Sequence, residues 1–125
     1  MVSEYSLPEE NYKIINMSRE KIIIDTDIGD DIDDALAIGL ALNSLEIELI
    51  GITTVFKNTV ARARIVKKLL QTAGRDDIPV YAGCRYPIIN SVNADEIPCQ
   101  NSPDMGCIEI DLKIDAVDFM IQKII

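Results

Sequence analysis

Six aspartates crowd into ten residues. Asp25, Asp27, Asp30, Asp31, Asp33 and Asp34 surround Gly29 directly after the apolar run Ile22-Ile23-Ile24. Like charges at that density repel one another unless something neutralises them. A hard divalent cation, Ca²⁺ or Mg²⁺, takes carboxylate and carbonyl oxygens and is the natural neutraliser. The plainer alternative is that some of the six cap a helix and the rest face water, and Asp30 and Asp31 are the candidates for it. Carboxylates must also carry any acid/base work, because the sequence contains no His. A Ser-His-Asp triad, a Cys-His dyad and a His-ligated zinc therefore cannot be built from this chain alone.

Several known chemistries use such a cluster. An EF-hand loop counted from Asp25 requires Gly at its sixth position and Glu at its twelfth, and the sequence has Asp30 and Leu36 there. A phosphatase of the haloacid-dehalogenase type ends a strand in Asp-x-Asp, which Asp25-Thr26-Asp27 satisfies. Gly29 then stands where Thr or Val is expected, and the later aspartates are surplus, so this remains the weaker alternative.

The elements that must position these side chains alternate. Lys21 to Thr26 is a short β-branched run and predicts a buried strand. Asp33 to Leu42 predicts a helix opened by carboxylates and ended by Asn43-Ser44. Leu45 to Val55 predicts a second strand. Thr59 to Ala73 predicts a helix with Val66, Leu69, Leu70 and Ala73 on one face, Arg62, Arg64, Lys67 and Lys68 largely elsewhere, and Gly74 just beyond. Ile78 to Ala82 reads as a third strand, residues 85–112 as an irregular excursion containing Pro87, Pro98 and Pro103, and Asp115 to Ile125 as a further helix. The expected fold class is α/β: an open, Rossmann-like sheet of mainly parallel strands with flanking helices. Ligands of such sheets sit at the carboxyl ends of the strands, where the aspartate cluster falls.

Composition narrows the partners. The 125 residues carry a formal charge of −9 and a pI near 4.3. Such a chain is a poor ligand for nucleic acid or an anionic membrane and a good one for cations. Seven of the twelve basic residues lie between Lys57 and Arg85, which on an amphipathic helix reads as a solvated face. Hydrophobic residues make up 48% with a mean hydropathy of +0.14 and no Trp, which implies an aliphatic core. The acidic N-terminal stretch is followed by no apolar signal region, and the longest apolar run, Ala35 to Leu42, is too short to span a bilayer. A cytoplasmic protein is expected. Cys84, Cys99 and Cys107 are odd in number and lack CxxC spacing, so reduced thiols are expected, with Cys84 a small buried residue. Thr53 and Thr54, at a strand end, are expected to satisfy backbone groups.

The series Ile-Ile-Ile-Asp25-Thr26-Asp27-Ile28-Gly29, then Asp33-Asp34-Ala35-Leu36-Ala37-Ile38, resembles the N-terminal signature of the inosine-uridine preferring nucleoside hydrolases, whose usual form is DTDPGxDDAxAI. Glu46 to Val55, Asn58, and Pro79-Val80-Tyr81-Ala82-Gly83-Cys84 with Pro87 agree in order. The resemblance covers residues 20–90 well, and Asp115 to Ile125 is similar to a later helix of the family. It departs at Ile28 for Pro, at Lys57 for Gly, and at Asp30-Asp31-Ile32, a two-residue insertion that leaves the role of Asp31 open.

The resemblance implies Ca²⁺ held with the ribose hydroxyls of a ribonucleoside. Asp27 would be calcium ligand and general base, Asp34 a calcium ligand, Asp33 a partner of the ribose 2′-hydroxyl, and Asn58 a ribose contact. Asp25 would orient the loop. Residues 1–20 are then an N-terminal extension and residues 21–125 the N-terminal part of a nucleoside hydrolase-like domain. A catalytic domain of this family is more than twice as long, so a partner chain or a homo-oligomer is expected to cover the rest of the sheet. A hydrolase therefore competes with a catalytically silent homologue that binds metal or ribose, or only self-associates.

Overall fold

The computed structural model describes residues 18–125. Most of the expected N-terminal extension lies outside them. The elements are β1 (Glu20–Thr26), α1 (Asp33–Asn43), β2 (Ile47–Thr54), α2 (Thr59–Thr72), β3 (Val80–Ala82) and α3 (Ala116–Ile124), with a 3₁₀ turn at Pro103–Cys107 before α3. The first strand thus begins inside the expected extension. Among the described residues no helix is long and apolar enough to cross a membrane.

The three strands are parallel and lie in the order β1-β2-β3. The β-branched run of β1 suits a pleated surface covered on both sides. Pairing runs from Glu20 beside Ile47 to Thr26 beside Thr54, and Ile52 to Thr54 pair with Val80 to Ala82. The β1–β2 register slips between Ile22, beside Leu49, and Ile23, beside Gly51, so Ile50 is bulged out.

Alternation along the strands gives each face its own helices. Ile22, Ile24, Leu49, Ile52 and Val80 pack with Ile38 and Ala41 of α1 and with Ala63, Val66 and Leu70 of α2 in one aliphatic core. The other face receives α3. A Cβ on Gly51 would stand 2.4 Å from the Phe119 ring, so glycine here lets α3 seat its one aromatic anchor, and Phe119 meets Tyr81 at 4.8 Å between centroids.

The helix ends show how the local sequence works. Asn58 caps α2 by accepting from the Ala61 amide at 3.1 Å, and Asp115 caps α3 by accepting from Val117 at 2.8 Å. The N-cap of α1 is Ile32, which offers no side-chain cap. None of the loop aspartates caps that helix, then; Asp33 and Asp34 instead lie in its first turn, where the macrodipole favours negative charge.

Two side chains stand elsewhere than their residue types suggest. Cys84, expected to be buried, is exposed and donates to the Tyr86 carbonyl. Arg62, expected on the solvated side of α2, is 1% exposed. The irregular stretch after β3 is laid against the aspartate loop. Gln100 donates its amide to the Gly29 carbonyl at 2.8 Å, and Pro98 is buried over Gly29.

Gly29 has φ +135°, and a Cβ there would meet the Pro98 side chain at 2.5 Å. Both the backbone angle and the lack of space demand glycine. Gly29→Ala is expected to lower stability by about 1–3 kcal/mol in urea unfolding; an unchanged midpoint would show that the strap carrying Pro98 is not seated as described.

Candidate functional site

The carboxyl end of β1 opens into an acidic cavity of about 220 Å³ lined by Asp27, Ile28, Asp30, Asp31, Asp33 and Asp34. Five of the six aspartates therefore converge. Asp25 does not join them: it accepts from the Thr53 hydroxyl at 2.7 Å and lines a separate cavity of about 390 Å³ with Ile23, Met120 and Ile124. Residues two apart in a strand share a face, so the division arises because β1 ends at Thr26 and Asp27 already lies in the turn beyond it.

Thr26, buried at the last position of β1, ties the strand to α1. Its hydroxyl donates to Asp34 Oδ2 at 2.5 Å and accepts from the Ile28 amide at 3.0 Å. Asp34 thereby stands beside Asp27. Partial desolvation first, then the hydrogen bond and negative charge of Asp34, push the Asp27 carboxyl above its ordinary range, against the opposing pull of Arg62.

Asp30 behaves in the opposite way. Its carboxylate accepts from the Cys99 amide at 3.1 Å and from Arg62 at 3.2 Å. Those bonds, the Cys99 amide foremost, hold it below the ordinary range. Asp31 and Asp33 are exposed and make no side-chain hydrogen bond within the described residues, while the Asp31 carbonyl accepts from Gln100 Nε2 at 3.2 Å. Asn58 spends its side-chain oxygen on the α2 cap and aims its amide at the Asp95 carbonyl, 3.4 Å away.

Arg62 is the residue that sequence reasoning missed. Its Nη1 donates to the carbonyls of Asp27 at 2.8 Å and Ile28 at 2.9 Å, its Nε to the carbonyl of Phe56 at 2.7 Å, and its fork to Asp30. The signal was present in the spacing, because position 62 lies four residues before Val66 and so shares the buried stripe. The turn it grips is unusual. Phe56 and Lys57 have φ of 74° and 62°, and their amides donate to the carbonyls of Cys84 and Arg85. Thr54, beside them, satisfies a backbone group as expected, donating to the Thr59 carbonyl at 2.7 Å.

The donor set fits a hard cation in part. Asp27 and Asp34 are two abutting carboxylates, and a divalent cation held by them would offset the desolvation and the neighbouring negative charge that raise Asp27. Among the described residues no group of three or more Asp, Glu, Cys or His side chains is arranged to hold a metal.

Comparison with known proteins agrees with this fold. A sequence model of the inosine-uridine preferring nucleoside hydrolases matches residues 22–124. A probable uridine nucleosidase 2 of Arabidopsis thaliana is 53% identical over 74 residues, which is 58% of this chain and 22% of that protein. The inosine-uridine preferring nucleoside hydrolase of Leishmania major is 46% identical over 83 residues, 62% of this chain and 25% of that one. A solved plant nucleoside hydrolase, the PpNRh1 enzyme, superposes with a TM-score of 0.64 at 32% identity, covering 86% of this chain and 36% of its own. The open parallel sheet with flanking helices is that of a nucleoside hydrolase. The chain belongs to the inosine-uridine preferring nucleoside hydrolase family, and it spans about a quarter of the length of these curated relatives.

Two expectations follow from the geometry. Left-handed backbone at a non-glycine residue is costly, and Lys57 occupies the position where the family's usual residue is Gly. Lys57→Gly should stabilise by about 0.5–1 kcal/mol in chemical denaturation, even after losing the half-exposed Lys57–Glu96 ion pair. The carboxylates give opposite pH signatures. Asp27, raised on folding, favours the fold below its unfolded pKa and loses that contribution as pH rises through its folded value. Asp30, lowered on folding, favours the fold above its unfolded pKa and loses that contribution as pH falls through its folded value. Calorimetry in chelator should thus show Asp27→Asn melting above wild type, and Asp30→Asn below it, near neutral pH, with both differences shrinking in acid.

Proposed function

We propose that this chain carries the ribose- and cation-binding part of an N-glycosidase that hydrolyses ribonucleosides to ribose and free base. The observation that carries the reading is the Asp27–Asp34 pair, locked to the end of β1 by Thr26 within an acidic cavity. Asp27 and Asp34 would hold a Ca²⁺, with other ligands drawn from outside the described residues. When bound, the cation would lower the pKa of water and polarise the ribose hydroxyls. Asp27 would accept the proton of the attacking water. Asp33 would accept from the ribose 2′-hydroxyl, and Asn58 would contact the sugar by exchanging the Asp95 carbonyl for it. The surrounding carboxylates favour the positive charge that develops on ribose as the glycosidic bond breaks.

The phosphatase alternative loses its support, because the two carboxylates it pairs, Asp25 and Asp27, line separate cavities. The silent-homologue reading keeps one observation in its favour, the lack of a third metal-binding side chain among the described residues. A partner chain or second copy remains part of the proposal. Within the described residues β1 pairs on one side only, and α3 leaves Val117, Ile121 and Ile124 exposed. A cytoplasmic setting is proposed on the three free cysteines.

Incubation with inosine, uridine and a p-nitrophenyl riboside, in Ca²⁺ or in EDTA, tests the reading. Ribose release that requires Ca²⁺ and falls about 10²–10⁴-fold in Asp27→Asn is the expected outcome. No release in any oligomeric fraction removes the hydrolase, and calcium titration by calorimetry then decides whether binding alone survives.

A further inference from the structure

We propose that Arg62 is the positioning residue of this site, fixing the Asp27 carboxylate by gripping the backbone that carries it. The inference deepens the function proposed above and rests on its assignment of Asp27. Of the residues that line the cavity, Arg62 bonds the Asp30 carboxylate and the backbone carbonyls of Asp27 and Ile28, so its hold on the Asp27 side chain is exerted through the peptide groups of residues 27 and 28.

Three observations converge. The side chain is 1% exposed, so its donors have no recourse to water, and every buried side-chain donor among the described residues is satisfied. A single nitrogen, Nη1, holds two successive carbonyls, Asp27 and Ile28, at 2.8 and 2.9 Å. That pair of bonds fixes the orientation of two peptide planes on the C-terminal side of the Asp27 Cα, while Thr26 fixes the chain at Ile28 N and secures Asp34. The third contact, Nε to the Phe56 carbonyl at 2.7 Å, anchors the guanidinium itself to the left-handed turn after β2. The planar fork matters here. A lysine ammonium at the same depth is a point charge and cannot serve the Phe56 carbonyl and the Asp27–Ile28 pair with fixed geometry. Asp30, which belongs to the two-residue insertion, is the counter-ion at 3.2 Å. Its engagement with Arg62 and the Cys99 amide assigns that residue to holding the loop rather than to meeting a ligand.

The test uses the full chain and compares Arg62→Lys and Arg62→Gln with Val66→Ala, a core substitution one turn further along α2 that costs stability while removing no hydrogen bond to the loop. Carbonyl ¹³C shifts of Asp27, Ile28 and Phe56 and the carboxyl ¹³C shift of Asp27 are recorded without ligand, followed by calcium titration. Both Arg62 variants are expected to move those four signals and to weaken calcium binding at least about tenfold. Val66→Ala, at a comparable loss in Tm, should leave them in place. Signals or affinity that move no more in the Arg62 variants than in Val66→Ala overturn the proposal. A wild-type chain that binds no calcium rejects the cation role of Asp27 and Asp34 instead, and the ligand-free shifts still decide the positioning role. If neither Arg62 variant folds, couplings across the hydrogen bonds from Arg62 to the Asp27 and Ile28 carbonyls in wild type decide it: their presence at both supports the proposal and their absence overturns it.

Discussion

A guanidinium withdrawn from water must find an oxygen for each of its donors, because the desolvation of an unpaired buried charge costs several kcal/mol. At Arg62 that requirement organises the carboxyl edge of the sheet. The carbonyls of Asp27, Ile28 and Phe56 all point inward at one side chain, which turns their loops away from the solvent-facing geometry that short connections usually adopt. The left-handed residues Phe56 and Lys57 lie on one side of this knot and the positive φ of Gly29 on another. Three of the four positive φ angles among the described residues thus lie around this charge, the fourth being Gly74 just past the end of α2.

The same edge contains the opposite electrostatic problem. Five aspartates face one small cavity, and among the described residues only Asp30 has a cationic partner there. Asp27 and Asp34 are left against each other, with the Thr26 hydroxyl satisfying one oxygen of Asp34. The scaffold thus spends one acidic residue on its own stability and keeps a strained pair uncompensated. Uncompensated like charges in a cleft are a feature of ligand sites, where the missing neutralising group arrives from outside.

Much of this was legible beforehand. The β-branched runs and the period of the apolar residues gave α1, α2, α3 and the two longer strands within one or two residues, because those elements are stabilised by the pattern that announces them. The cluster itself was legible from density and position. What escaped was set by contacts distant in sequence. Arg62 was read by residue type as solvent-facing, although its spacing from Val66 put it on the buried face; only the carbonyls of another loop, more than thirty residues away, make that burial tolerable. Cys84 was read as buried from its chemistry, yet it sits where the chain leaves the sheet. The strap from Pro98 to Gln100 had no periodicity to reveal it, since irregular backbone is held by individual hydrogen bonds.

The bulge at Ile50 sets the phase of everything beyond it. With one additional residue on β2, Thr53 rather than Ile52 stands beside Asp25, and Gly51 comes to lie on the side that α3 covers. Were the ladder unbroken, the second half of β2 would present its alternate set to each side. An isoleucine would then face the Asp25 carboxylate, and the hydroxyl that now satisfies it would turn into the aliphatic core. A single looped-out residue therefore decides which surface of the sheet is polar at its carboxyl end and which is oily, well before the chain reaches the aspartates.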